Sequence, residues 1–495
     1  MAIRSTSVYS LNMQMMYMKM IFSFTCYFML TGFTHAQSDR RVNKQMNIVL
    51  FVADDLGARD IGPYGAKVVK TPHLSQFAAE SILFKNAFAS SPTCSPSRSS
   101  FLTGLMPFRN GAHGNHSGVN EEVKSIVQYL RPLNYKVAIA GKLHIGPESV
   151  FAFERIANTN VVEPGHEKKP GLNYDLNLSP VDEWLGKKSK REPFFLMVAD
   201  HSPHVVWPET PTYDTAIVDI PPNHIDTRET RVARARYYTD ISKMDSNFGK
   251  LMAMLKKHDM LENTIIIFTA DQGPQWAFAK WTLYDYGVKT PLIVRWPGVT
   301  RAGKSTNALV SLVDLVPTFI EAAGGKAPES IDGRSFINVL KNISDSARDF
   351  VFATHTGDAL MNRTPTRMIR SSQYKYILNI SSDTIFNTHM NRAGDHDGGR
   401  EYWPGWRSKS FKDEHAANVL WRYHNHPKEE FYDLNADEYE QHNLADDPGY
   451  KTLVQQYREK LDQWRLTQSD TATGPEVIVP ARNKPGAKPI APYVF

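Results

Sequence analysis

The segment Cys94-Ser95-Pro96-Ser97-Arg98, with Thr103-Gly104 behind it, sets a thiol and a guanidinium one helical turn apart. Pro96 suits the first turn of a helix, where its missing N–H costs nothing. Ser99, Ser100, Phe101 and Leu102 can carry the helix on. Cys94 then stands at a helix N-terminus, where free backbone N–H groups and the dipole favour anions. A reactive side chain, a positive helix end and Arg98 together make an oxyanion site. The chain has 2 cysteines, and the other, Cys26, lies in the apolar run near its start. An exported chain that keeps one thiol can form no internal disulfide and needs a purpose for that thiol.

Other chemical groups stand where apolar runs stop. Asn47 to Ala53 runs into Asp54-Asp55, and Thr264 to Ala270 into Asp271-Gln272. Three carboxylates and an amide oxygen suit a hard cation such as calcium or magnesium. Lys136 to Ala140 runs into Gly141-Lys142-Leu143-His144, and Phe194 to Ala199 into Asp200-His201-Ser202-Pro203-His204. Continuous apolar, β-branched runs read as strands buried on both faces. Between them, Leu74 to Ser81, Val123 to Leu130 and Arg231 to Lys257 have helical spacing. Strands alternating with helices predict an α/β fold with a mostly parallel sheet, and such sheets bind ligands at the strands' carboxyl ends. After about residue 345 come short strands at 349–354, 366–370, 374–379 and 430–434, then an amphipathic helix from Tyr450 to Trp464. That pattern predicts a smaller antiparallel sheet with one covering helix, followed by an extended tail from Gly474.

The 495-residue length suggests about three units or fewer. The expected division is a signal segment over 1–36, a catalytic domain over 37–345 and a smaller C-terminal domain over 346–495. Lys19, the apolar run Met20 to Leu30 and Thr34-His35-Ala36 read as an export signal, with Met18 or Met20 as an alternative start. The expected location is secreted or periplasmic. The net charge of +5 suits an anionic substrate, and no nucleic-acid partner is expected.

The Cys-x-Pro-x-Arg segment with its Thr-Gly resembles the signature of the formylglycine-dependent sulfatases, and the resemblance runs from Asn47 to about Trp464. It implies an alkaline phosphatase-like fold. It also implies that a maturation enzyme oxidises Cys94 to formylglycine, whose hydrate attacks sulfur and then expels sulfate. By the same resemblance Asp54, Asp55, Asp271 and Gln272 bind calcium, with residue 94 as a further ligand. Gln272 stands where Asn is common. Lys142 and His144 match a Gly-Lys-x-His motif, His204 the last residue of a His-x-Pro-His motif, and Lys280 a basic residue beyond the Asp271 turn. Arg98, Lys142, Lys280 and the imidazoles are implied to hold sulfate, and His144 to orient the nucleophile. The segment from Gly141 to Val150 is similar to the heparan N-sulfatase branch, which also contains ulvan sulfatases, although Ser202 stands where Asp is frequent. The implied substrate is the terminal sugar of a sulfated polysaccharide fragment, heparan or algal. His113, His116, His201, His355 and Arg370 are candidate sugar contacts by position, with Trp276 and Trp281 as apolar walls or core. The rivals are a phosphatase or phosphodiesterase of the same superfamily and a non-catalytic glycan-binding protein.

Overall fold

The four apolar runs form the middle of a large sheet. The computed structural model describes residues 45–474 apart from 164–166, 168–173, 190–191, 359–361, 389 and 392–400. The export signal and the tail beyond Gly474 lie outside the described residues. The strands are β1 (Asn47–Ala53), β2 (Ile82–Phe88), β3 (Lys136–Gly141), β4 (Glu154–Arg155), β5 (Asn160–Val162), β6 (Tyr174–Leu176), β7 (Phe194–Ala199), β8 (Thr264–Ala270), β9 (Lys289–Thr290), β10 (Leu292–Arg295) and β11 (Lys304–Ser311). β5 and β6 pair only with each other; the rest form one sheet in the order β11-β2-β10-β8-β1-β7-β3-β4, with β9 beside β2. The central β8, β1, β7 and β3 are all parallel, whereas β10 is antiparallel to both its neighbours.

The period of two along β1 explains its unbroken apolar run. Val49, Phe51 and Ala53 pack on one face, with Phe248 and Leu251 of the long helix Arg228–Lys257. Ile48, Leu50 and Val52 pack on the other, with Phe319 and Ile320. Both faces are covered, so no polar residue is tolerated between the ends. Each such side chain contributes roughly 1.5–3 kcal/mol by leaving water.

The second sheet has the antiparallel order β12 (Val351–His355), β13 (Thr366–Arg370), β14 (Tyr374–Asn379) and β15 (Glu429–Asp433). One face packs Ile369, Tyr376 and Phe431 under Val454, Tyr457 and Leu461 of the helix Lys451–Thr467. Val351, Met368 and Ile377 of the other face belong to the same core cluster as the large sheet. The described residues from Met46 onward form one compact unit.

Helix boundaries shift where caps decide them. The helix expected from Val123 starts at Ile126, because Ser125 and Gln128 make a reciprocal capping box. Two helices, Trp403–Ser410 and Glu414–His424, add to the elements expected from sequence. Buried Trp403, Trp406 and Tyr423 hold them. Among the described residues no helix is long and apolar enough to cross a membrane.

Candidate active site

Because β1, β3, β7 and β8 are parallel, their carboxyl ends fall on one edge of the sheet. That edge receives Asp54 and Asp55, Lys142 and His144, His201 and His204, and Asp271 and Gln272. The helix Cys94–Thr103 begins beside them and stops at Gly104, whose φ of 73° is the left-handed cap that glycine supplies. Gly141 has a φ of 82°, and a Cβ there would sit 2.0 Å from the Ala199 carbonyl oxygen. Only glycine lets β3 turn Lys142 into the site. Asp55 and His144 also adopt left-handed backbone, with φ of 60° and 49°. Non-glycine residues held there store strain that the surrounding fold must fix.

The expected cluster is assembled and dry. Cys94 Sγ is 3.7 Å from Asp54 Oδ1 and 3.9 Å from Asp55 Oδ1, and it accepts from Gln272 Nε2 at 3.1 Å. Arg98 bridges two carboxylates: its Nε is 2.8 Å from Asp271 Oδ2 and its Nη2 3.3 Å from Asp54 Oδ1. Lys142 Nζ contacts Asp54, and Lys280 Nζ lies 2.7 Å from Asp55 Oδ2. His204 Nε2 is 3.6 Å from the same oxygen. Ser97 adds a hydroxyl donated to the Asp271 carbonyl. The three aspartates and Arg98 have no exposed surface, and Lys142 and Lys280 almost none.

Burial and pairing compete at these groups. Desolvation would raise Asp54, but Lys142, His204 and Arg98 outweigh it and hold its carboxyl well below the usual range. At Asp271 burial wins, helped by the Asp54 charge, and the pKa rises to about 8. Burial also pushes the Cys94 thiol up strongly, against the attraction of Lys280. The unmodified thiol is therefore protonated at neutral pH despite the helix N-terminus, and a protonated thiol is a poor nucleophile. Burial lowers His144, His201 and His204 too, His201 to about 3.

The donor set fits one hard cation. Ligand atoms of Asp54, Cys94 and Asp271 lie within 4.8 Å of one another, as do those of Asp55, Cys94 and His204. Both groups share Cys94, so they describe one centre. Gln272 Oε1 is buried without a hydrogen-bond partner. Turning its amide over aims that oxygen among the aspartates, where only a cation would make it welcome. Once a cation draws the proton from Asp271, the carboxylates of Asp54, Asp55 and Asp271 balance Arg98, Lys142 and Lys280. A divalent cation and a sulfate group can therefore enter together with little net charge.

A narrow cleft opens beside this cluster, lined by Lys142, His201, His204, Tyr174, Glu163 and Lys243. His201 reaches its wall, 2.9 Å from Asn160 Oδ1 and stacked on Tyr174. Tyr174, Glu163 and Lys243 of that wall, and Asn160 behind His201, carry no motif, and nothing in the sequence marked them. His116 meets His144 ring to ring at 4.8 Å and is held by Asp358. Asp358 also takes Asn115, which accepts from the Ser95 N–H at the start of the nucleophile helix. His113 stacks on Phe108 instead. His355 is buried, with Nε2 3.1 Å from the Asn362 carbonyl oxygen and its ring edge-on to Trp281. Trp276 and Trp281 are both core residues, 0% and 2% exposed.

Arg370 is not brought to the cluster. It makes two 3.0 Å hydrogen bonds to Asp285 and lies over the Phe88 ring. Its role is to tie the small sheet to the large one. Arg370→Ala is expected to cost about 3 kcal/mol, the low end for breaking a buried pair, because Lys375 still faces Asp285. Urea unfolding would show this, with kcat of the folded protein unchanged.

The family model described as Sulfatase matches residues 46–325, and one described as N-sulphoglucosamine sulphohydrolase, C-terminal, matches residues 273–391. An ulvan-active sulfatase of Formosa agariphila is 30% identical, over 90% of this chain and 85% of its own. Human N-sulphoglucosamine sulphohydrolase is 29% identical, over 90% of this chain and 95% of its own. The fold is similar to that of a protein solved with its substrate D-glucosamine-2-N,6-O-disulfate. The TM-score is 0.64 at 20% identity, covering 89% of this chain and all of that one.

Proposed function

As this chain belongs to the sulfatase family and is a sulfuric ester hydrolase, we propose that it works through a formylglycine made from Cys94. The observation that carries this reading is the place of Cys94: a buried, protonated thiol wedged against Asp54, Asp55 and Gln272, at a helix N-terminus and among three buried cations. Formylglycine hydrate supplies two hydroxyls there, one to attack sulfur and one to help release sulfate. Calcium held by Asp54, Asp55, Asp271 and Gln272 supplies a Lewis acid that polarises the sulfate oxygens. The chain's own groups do the rest. Arg98 fixes Asp54 and Asp271 in one plane of contact. Lys142 and Lys280, beside Asp54 and Asp55, would be the cations that hold the sulfate oxygens. His144 orients residue 94, and Lys280 and His204, both beside Asp55, are placed to protonate the leaving oxygen. Peptide mass spectrometry at residue 94, paired with a sulfate-release assay, tests this; fully active protein with an unmodified thiol would defeat it.

The cation gives a second test. One calcium per chain is expected, and chelation should lower turnover at least tenfold. Calcium should also raise the melting temperature, with about 2.7 kcal/mol of stabilisation at a hundredfold excess over Kd. Stoichiometric zinc in active protein would count against this ligand set. The phosphatase and phosphodiesterase rival needs a second ion, and among the described residues every candidate group includes Cys94.

The substrate follows from the relatives and the cavity. One relative is named for ulvan and the other for N-sulphoglucosamine. The cleft beside Lys142 and His204 presents the Tyr174 ring together with the polar groups of Glu163, His201 and Lys243, the mixture that a sugar ring and its hydroxyls need. The proposed action is exo removal of sulfate from the terminal sugar of a sulfated polysaccharide fragment, in the periplasm or outside the cell. Heparan and ulvan oligosaccharides, assayed for free sulfate and product length, separate the two sugars. Sulfate release from internal positions without preference for ends would overturn exo action, and protein retained in the cytoplasm with residues 1–36 attached would overturn export.

A further inference from the structure

A second cleft, lined by none of the catalytic residues, carries cations that make no close ion pair among the described residues. Its volume is about 450 Å³, within the range of small-molecule sites, and Arg59, Lys85 and Lys289 line it with Tyr64, Asp285 and Glu438. Arg59 follows the turn after β1, Lys85 points out of β2, and Lys289 belongs to β9. The Arg59 guanidinium lies between the rings of Tyr286 and Tyr439, 4.7 and 4.6 Å from their centroids. Its Nη1 is nevertheless buried without a hydrogen-bond partner. Lys289 is mostly buried, and desolvation lowers its pKa despite the more distant Asp285. Among the described residues no ion pair within 4 Å is made by Arg59, Lys85 or Lys289. Asp285 is already taken by Arg370 and Lys375.

Arg59 opposes the charge on Lys289, which Asp285 and Glu438 relieve only from a distance, and leaving a buried donor unmet costs about 1–3 kcal/mol. A fold that keeps this arrangement gains when an anion enters. We propose that this cleft is a second saccharide site, which binds a sulfated or carboxylated sugar of the polysaccharide and so holds a long chain on the enzyme. Arg59 and Lys289 clamp the acidic group, and Lys85 at the rim meets the next charge along the chain. The Tyr64 side and Leu83 supply the apolar wall that a sugar ring needs. The choice of a saccharide over a free anion rests on the proposed polysaccharide substrate and on the volume of the cleft, which exceeds that of one sulfate ion.

The test uses the mature enzyme and a heparin-derived hexasaccharide, with its desulfated counterpart and sodium sulfate as separate arms. Acylation of the exposed Lys85 amine is read by peptide mass spectrometry, and affinity by calorimetry. The expected result is protection of Lys85 by the sulfated hexasaccharide alone. The double variant Arg59→Ala, Lys289→Ala should bind it about a hundredfold more weakly, the loss of two charge-assisted contacts. Its KM on long sulfated chains should rise alike, with turnover of a monosaccharide sulfate unchanged. Lys85→Glu, at an exposed position, should weaken binding in the same direction and keeps the test valid if the buried pair disturbs folding. Unchanged affinity in Lys85→Glu, or equal protection by sodium sulfate at the same concentration, would overturn the proposal. Neither readout requires turnover, so loss of the formylglycine reading would appear separately, as absent sulfate release with Lys85 still protected.

Discussion

Cys94→Ala is expected to fold normally and to lose kcat by about 10⁴-fold or more, the scale of deleting a catalytic nucleophile. The fold should survive because, among the described residues, Sγ makes hydrogen-bond contacts with Asp54, Asp55 and Gln272 alone, and a small cavity in a polar site costs little. Arg98, Lys142 and Lys280 still balance the aspartates in the variant. Calcium binding should weaken modestly, since residue 94 is one ligand among five. The measurement is sulfate release with a thermal melt on the same sample. Residual activity above about 1% of the parent would remove residue 94 from the reaction.

Arg98→Ala should have the largest combined effect. Arg98 alone touches both Asp54 and Asp271, and all three are fully buried. Breaking a buried ion pair by removing one partner costs about 3–5 kcal/mol. The carboxylates would then repel each other, and the Asp271 pKa would climb further above about 8. Activity should fall by about 10²–10³-fold even where the protein stays folded, the scale of losing one preorganised donor. Arg98→Lys should rescue part of the stability and little of the rate, because an ammonium cannot span both carboxylates as the planar guanidinium does. Equal rates for Arg98→Lys and the parent would show that Arg98 serves only as a counter-charge.

The two variants fail differently, and that difference traces back to what each residue touches. Cys94 sits at the end of its network and Arg98 in the middle. The spacing of Cys94 and Arg98 was visible along the chain, since one helical turn fixes it. Which carboxylates Arg98 bridges was not, because Asp54 and Asp271 come from strands more than two hundred residues apart in sequence.

By itself, the sequence determined the elements that obey local rules. The apolar runs of β1, β3, β7 and β8 required strands covered on both faces, and the polar residues that end them required an open edge. Pro96 and Gly104 bracketed the nucleophile helix. The cysteine motif identified the chemistry. Only the tertiary structure decided what depends on distant pairing. It sent Arg370 to Asp285, because a buried carboxylate on the large sheet demanded a bidentate partner from the small one. It put Trp276 and Trp281 in the core, where their size outweighs any use as a sugar wall. It brought Asn160, Glu163, Tyr174 and Lys243 to the edge of the sulfate site, and Arg59, Lys85 and Lys289 to a separate cleft. Hydrophobic periodicity and caps act over a few residues and can be read along a chain. Charge pairing and the shape of a cavity are settled by whichever side chains the packed sheets bring within a few ångströms, and no local pattern records that.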